Sequence, residues 1–412
     1  MKLAIVGGGI SGLACARRLG ERHDVTLFET APQLGGHANT VDVEIDGRAH
    51  AVDTGFIVYN EATYPELTRL FGELGSATQP SDMSFSVACE RSGLEWSSRG
   101  LAGLFATPSR ALRPAFLRML REILRFERDA QRLFASGDAK VTLRDYLAGR
   151  GYSSAFAEWY ALPLGAAIWS ASNVDVLEMP ALGFTRFLAN HGMLGRGGAV
   201  RWRSVTGGSR RYVDALAARS RARFRCRERV LALERGEGYV RVITARGAER
   251  FDRAILAVHS DTALALLAQP SVHEQSVLGA IRYAPNDALL HTDASLLPRR
   301  AAARASWNTV VPRDARTGVL VSYDLSRLQS IASARPLLVT LNGTDRIDPR
   351  LVLRRFTYAH PILDARAVAA QARHAEIDGA GGIHYCGAHW GWGFHEDGLA
   401  SALRACRALE AR

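Results

Sequence analysis

Lysine is nearly missing from this 412-residue chain: Lys2 and Lys140 are its two examples, and arginine supplies nearly all of the 52 basic residues. A GC-rich coding sequence accounts for that bias without a functional choice. Against 41 acids the balance is +11, which favours contact with phosphates, acidic substrates or anionic surfaces and is silent on fold. No nucleic-acid recognition motif accompanies the charge, and the basic residues are scattered, so nucleic acid is not an expected partner. Cysteine is sparse too. Cys15, Cys89, Cys226, Cys386 and Cys406 are odd in number and lack a CxxC pair, which argues against a disulfide framework or a metal site and suits a reducing compartment. No apolar run approaches the roughly 18 residues of a membrane span. The first residues read as a strand rather than a leader, so a cytosolic protein is expected. A hydrophobic fraction of 47% with 23% charged residues excludes a disordered or collagen-like polymer, and the length suits two to three domains.

What is present begins at the amino end. An apolar run over residues 2–6 leads into Gly7-Gly8-Gly9-Ile10-Ser11-Gly12, a helix-like stretch to Leu19, and a second strand over 24–29 closed by Glu29. In such a strand, G-x-G-x-x-G, helix, strand, acid order, Gly7 permits the tight turn and Gly9 lets backbone amides approach a pyrophosphate. Gly12 lets the helix pack on the strands. The helix start then faces the phosphates with unpaired N–H groups, and Glu29 suits an adenosine ribose. A second glycine turn, Gly35-Gly36-His37, follows the acid. After an alternating stretch comes Thr54-Gly55-Phe56-Ile57-Val58-Tyr59.

With these segments the chain resembles the flavin-dependent amine oxidase and phytoene desaturase superfamily, whose members bind FAD. The resemblance implies that Gly7, Gly9, Ser11, Gly12 and Glu29 hold the dinucleotide, that Gly35, Gly36 and His37 follow the pyrophosphate, and that Gly55, Phe56, Ile57 and Val58 pass the flavin. The usual arginine after the Gly-Gly pair is here His37. Further on, Gly207-Gly208, alternating strands over 226–233 and 239–244, and a buried strand over 251–258 repeat the family's order, which puts Val230 against the adenine.

At the carboxyl end, a strand from Ile383 leads to Gly387, then Ala388-His389-Trp390-Gly391-Trp392-Gly393-Phe394-His395-Glu396-Asp397-Gly398-Leu399, with a small-residue helix expected from Gly398. Such a helix start stabilises negative charge on a reduced flavin. Gly387, Gly398 and Leu399 match the family's cofactor positions, whereas Ala388 and His389 stand where an acid is common. This run looks most like a bacterial branch of predicted FAD-binding oxidoreductases encoded beside cyclopropane-fatty-acid-synthase-like methyltransferases.

The expected fold is α/β. It pairs a Rossmann-like FAD-binding domain of amine-oxidase type (residues 1–75, 205–265 and 378–412) with a discontinuous α+β substrate domain (76–204 and 266–377). Strands are expected at 287–292, 318–324 and 336–342, and residues 354–361 form a polar-aromatic cluster before a helix. A helix over 114–135 lays Arg118, Arg121, Arg125, Arg128 and Arg132 along one stripe. A solvated face and an anionic-membrane contact both fit that stripe.

Trp390, Trp392, Phe394 and Tyr59 are candidates to wall the substrate cavity, with packing under the loop as the equal alternative for the two tryptophans. Trp159, Tyr160, Trp169, Met179, Phe184, Phe187 and Met193 are further candidates, with ordinary core as the reading for most of them. His395, Glu396, Tyr59 and Tyr358 are candidate catalytic groups, with a helix cap as the alternative for Glu396. His360 is a weaker candidate, and His291 reads as a core residue. The lysine that amine oxidases of the family keep near flavin N5 has no counterpart here. The expected function is therefore FAD-dependent dehydrogenation or desaturation of a lipid or fatty-acyl chain by hydride transfer to N5. The alternatives are a small-amine oxidase and a non-catalytic flavoprotein partner of a lipid methyltransferase.

Overall fold

The computed structural model describes residues 1–194, 200–314 and 318–411. Strand β1 (Lys2–Val6), helix α1 (Ile10–Leu19) and strand β2 (Asp24–Phe28) open the chain, followed by a hairpin of β3 (Thr40–Ile45) and β4 (Arg48–Asp53) and by helix α2 (Pro65–Leu74). The long helix α3 (Pro114–Ser136) and helix α4 (Ala181–Asn190) come next. Then follow strands β5 (Arg223–Arg225), β6 (Arg253–Leu256), β7 (Tyr283–His291), β8 (Val352–Pro361) and β9 (Ile383–Tyr385), and the closing helix α5 (His395–Glu410).

Five strands form a parallel sheet in the order β5-β2-β1-β6-β9. Its central members are apolar on both faces, with Leu3, Ala4, Ile5, Ala254 and Ile255 fully buried, as a sheet covered on both sides requires. Helix α1 packs against α5, so the two ends of the polypeptide meet. Ser11 Oγ donates to the Gly398 carbonyl at 2.9 Å, and a Cβ at Gly398 would stand 3.0 Å from that hydroxyl. Helix α5 begins at His395, one turn ahead of the expected Gly398. Asp397 stops fraying there by accepting from the Phe394 amide at 2.9 Å and the Trp392 amide at 3.1 Å.

A seven-stranded sheet runs β8, β7, Leu338–Leu341, Leu320–Asp324, Trp307–Val311, Phe85–Cys89 and Leu94–Ser97. Residues 354–361, read from sequence as a cluster before a helix, lie within β8, which pairs antiparallel with β7. The period of two puts Tyr358 and His360 on one face of that strand.

Helix α3 buries Phe116, Met119, Phe126 and Leu133 in a core shared with Phe156, Phe184 and Phe187. Glu122 and Asp129 are buried among them, and Arg118 (3.0 Å), Arg125 (3.9 Å) and Arg132 (3.3 Å) pair with these two carboxylates. Much of the arginine stripe thus neutralises acids of its own helix. Among the described residues no helix is long and apolar enough to cross a membrane.

Candidate active site

Two adjoining chambers lie where the parallel strands end. Gly7 directly follows β1, Glu29 follows β2, and Val258 and Gly387 stand just beyond β6 and β9; all four line the larger chamber, of about 490 Å3. The smaller, of about 300 Å3, shares Gly7, Glu29 and Val258 and adds Val230 and Arg229. Ligands of open α/β sheets sit at such strand ends.

The glycine loop is shaped for an anion. Gly7 has φ +106°, and a Cβ there would lie 2.5 Å from the Ala257 carbonyl oxygen; at Gly12 it would lie 1.9 Å from the Gly7 oxygen. A Cβ at Gly9 would meet nothing within 4 Å, because Gly9 borders the chamber. No side chain caps the start of α1 and no acid lies in its first turn, so its leading N–H groups are left for a ligand. The second glycine turn lies against the first: Gly35 N donates to the Gly8 oxygen at 2.8 Å, and Gly9 and Gly35 form a parallel bridge. Glu29 accepts from the Gly8 amide at 2.6 Å and the Ala31 amide at 2.7 Å while facing both chambers. His37 holds the next segment through its carbonyl, which accepts from Phe56 N at 2.7 Å. An uncapped helix start, a loop without side chains and a carboxylate between two chambers fit a dinucleotide whose phosphates sit on α1.

Most residues expected at the cofactor line this space. Gly7, Gly9, Ser11, Glu29, Gly35, Gly36, His37, Gly55, Phe56, Ile57, Val58 and Gly387 border the larger chamber, and Val230 the smaller. Gly12, Gly398 and Leu399 do not. Gly12 and Gly398 serve close packing, and Leu399 is core.

Four placements expected from sequence need correction. Trp390 packs at 4.4 Å against the His374 ring, away from the chamber. Trp392 lies on α4, with its ring 2.0 Å from the Cβ position of Gly183. Tyr59 is buried between Tyr64 and Phe71 (ring centroids 6.3 and 5.0 Å). Glu396 caps a different helix, accepting from the Glu66 and Leu67 amides of α2 at 2.9 Å each; burial raises its pKa. A glycine-aromatic loop does not reveal which side of it faces the ligand.

His395, Tyr358 and Phe394 do border the chamber. His395 stacks on Phe56 at 3.8 Å and its Nε2 meets Tyr212 Oη at 2.9 Å; burial holds it at about 3, so the ring is neutral. Tyr358 Oη lies 2.7 Å from Thr54 Oγ1 and 2.9 Å from Asn39 Nδ2, and burial raises its pKa. Phe394 stacks on Phe187 at 4.6 Å. Of the aromatic and methionine candidates from residues 159–193, Phe187 and Met193 reach the lining, whereas Trp159, Tyr160, Trp169, Met179 and Phe184 belong to the helical core. His291 is core as well, bonded to Thr340 Oγ1 at 2.7 Å.

Sequence reasoning passed over His259 and Tyr283, which stack at 4.3 Å in the lining, and it gave His360 and His389 little weight. The usable signal was that His259 follows a buried parallel strand. Burial, with neighbouring imidazoles, holds His37 and His389 at about 3 and His360 at about 4. Ile57, Ile168, Met193, Trp307, Val339 and Leu341 form an apolar part of the wall, beside the tyrosines and imidazoles. Among the described residues no group of three or more His, Cys, Asp or Glu is arranged to hold a metal.

Comparison with known proteins agrees with this geometry. A conjugated-linoleic-acid-producing fatty acid isomerase from P. acnes superposes with TM-score 0.71 at 14% identity, covering 100% of this chain and 98% of that one. Cyclohexylamine oxidase from Brevibacterium oxydans superposes with TM-score 0.67 at 16% identity, covering 99% of each. A carotenoid phi-ring synthase from Streptomyces griseus is 35% identical over 109 residues, 25% of this chain and 19% of that protein. The family described as flavin-containing amine oxidoreductase matches residues 10–409. The chain belongs to the flavin-containing amine oxidoreductase family and is an FAD-dependent oxidoreductase.

Proposed function

We propose that the protein dehydrogenates or desaturates a lipid acyl chain. The observation that carries this reading is the larger chamber's charge. Among the described residues Glu29 is its single carboxylate; it sits at the glycine loop and is bonded to two backbone amides. An ammonium substrate would enter a largely desolvated compartment with no free counter-charge, a cost of several kcal/mol or more. An acyl chain would instead bury its methylenes against Ile57, Ile168, Met193, Trp307 and Leu341, about 0.8 kcal/mol for each CH2. Neither lysine lines the space: Lys2 pairs with Glu249 and Lys140 is exposed. The fatty acid isomerase, with the same fold, is consistent with such a substrate.

FAD, when bound, supplies the two-electron acceptor. The chain's own residues orient and exclude water. Phe56 and His395 stack at the start of α5, Tyr358 is held by Thr54 and Asn39, and Phe394 and Phe187 close the apolar end. Delivery of the acyl chain is assigned to α3 and its approach, where Leu112, two residues ahead of the helix, and Leu124 within it are 71% and 60% exposed, and the helix carries Arg118, Arg121, Arg125, Arg128 and Arg132, a pattern suited to an anionic membrane surface. A lipid methyltransferase acting on the same chains is the proposed partner.

Anaerobic mixing of the holoprotein with phospholipids carrying defined unsaturated acyl chains, followed at the flavin band, tests the reading. Bleaching by lipid is expected. Bleaching by small amines and by no lipid would replace it with amine oxidation, and a flavin that neither reduces would favour the non-catalytic partner role.

A further inference from the structure

A pyrophosphate brings two negative charges into the larger chamber, whose lining, among the described residues, holds no lysine or arginine. Imidazole is present instead. His37 follows Gly36, whose Cβ position lies 3.1 Å from Gly9 Cα, and His259 follows Val258, whose Cγ1 lies 2.9 Å from the Cβ position of Gly7. Both residues therefore adjoin segments that touch the glycine loop and line the same chamber; their rings are 6.2 Å apart between centroids, and neither ring makes a hydrogen bond with the described protein.

His360 lies 5.5 Å from His37, but its protonation is fixed by a chain of amides. The Asp287 backbone N–H donates to Asn342 Oδ1 at 2.9 Å, Asn342 Nδ2 donates to Asn286 Oδ1 at 2.7 Å, and Asn286 Nδ2 lies 3.0 Å from His360 Nδ1. A backbone N–H can only donate, so each amide's orientation follows from the last, and His360 Nδ1 must accept. His360 is thus a neutral ring with its proton on Nε2. A second proton on Nδ1 would point at the Asn286 N–H.

We propose that His37 supplies the cation for the FAD pyrophosphate, taking up one proton from solvent as the cofactor binds.

His37 is preferred because its turn is the one bridged to Gly9 at the start of α1. The groups facing it are His360 and Tyr358 on β8, His259 with Asp261 beyond β6, and His395 at the head of α5. Tyr283 of β7 stacks on His259, His389 lies 6.3 Å from Tyr283, and Glu29 faces the same chamber from the end of β2. Without cofactor, burial and then the neighbouring imidazoles hold His37 at about 3. A dianion beside the ring reverses that balance, so the complex carries one more proton than the free partners. Affinity then falls as pH rises, by up to about tenfold per pH unit for a single proton.

Calorimetric titration of the deflavinated full-length protein with FAD at pH 7, in two buffers of different ionisation heat, reads the proton count directly. Uptake near one proton is expected, with Kd weakening severalfold to tenfold per unit from pH 7 to 8.5. His37→Arg should bring uptake near zero and flatten that profile. Should His37→Arg not fold, His37→Gln should lose the uptake and bind at pH 7 as weakly as the parent does at pH 8.5, whereas His259→Gln should keep the uptake. A buffer-independent heat with a pH-flat Kd, or uptake that survives His37→Gln, overturns the proposal.

Discussion

Replacing Gly9 with alanine separates cofactor binding from folding. Gly9 has φ −76° and ψ −175°, extended backbone that alanine adopts without strain, and its added Cβ meets no atom within 4 Å. The methyl would stand in the chamber at the uncapped start of α1, and carbon keeps other heavy atoms about 3.5 Å away. A phosphate seated on those amides must retreat and lose N–H contacts. Two charge-assisted hydrogen bonds at about 1.5–3 kcal/mol each amount to about 3–6 kcal/mol, roughly a hundred- to ten-thousandfold loss of affinity. Gly12→Ala is the contrasting variant. Its Cβ would fall 1.9 Å from the Gly7 carbonyl oxygen, so the loop itself must shift and the fold suffers first. The assays are the flavin-to-protein absorbance ratio, the FAD Kd by calorimetry, and the melting temperature of the deflavinated proteins. A Gly9→Ala protein that binds FAD within about threefold of the parent would refute the placement of the phosphates on α1, as would one whose cofactor-free form melts far below the parent.

Two further outcomes follow from the buried charges. Glu396→Gln should lose about 1–2 kcal/mol of stability through its weaker cap on α2 and leave the rate of flavin reduction within about twofold; a hundredfold slower reduction at unchanged melting temperature would restore Glu396 as an acid or base. Acid should unfold the cofactor-free protein steeply below about pH 6. Burial holds His37, His389 and His395 at about 3 and His191, His291 and His360 at about 4, so each takes up a proton on unfolding as pH falls below 6.5. Each costs about 1.4 kcal/mol per pH unit. Asp53 and Asp397 oppose this, because burial pushes both up to about 6 from the ordinary 3.8 and they hold protons in the folded state that the unfolded chain releases. These eight groups together give a loss of about 5 kcal/mol per unit between pH 6 and 4, read from urea midpoints; a midpoint that stays level down to pH 5 contradicts it.

The legible part of the fold was local. The strand–glycine–helix–strand run to Glu29 and the second turn at Gly35 and Gly36 depend on neighbours within a few residues, and their residue types follow from backbone conformation and space. The return of the chain through β6 and β9 was legible because buried parallel strands are apolar on both faces. Less was readable where long-range packing decides. Trp390 and Trp392 sit in a loop whose chamber-facing residues are Ala388, His389, Gly393 and Phe394, and sequence does not say which ring finds a pocket elsewhere. Glu396 caps α2, 330 residues earlier in the chain. His37, His259, His360 and His389 come from four separate segments, and no spacing links them. Only the sheets bring them together.

The most direct measurement is the visible spectrum of the purified native protein together with the compound it releases on boiling. A yellow protein that yields FAD at one molecule per chain is the predicted result. A colourless protein that releases no flavin and takes none up afterwards would contradict the account.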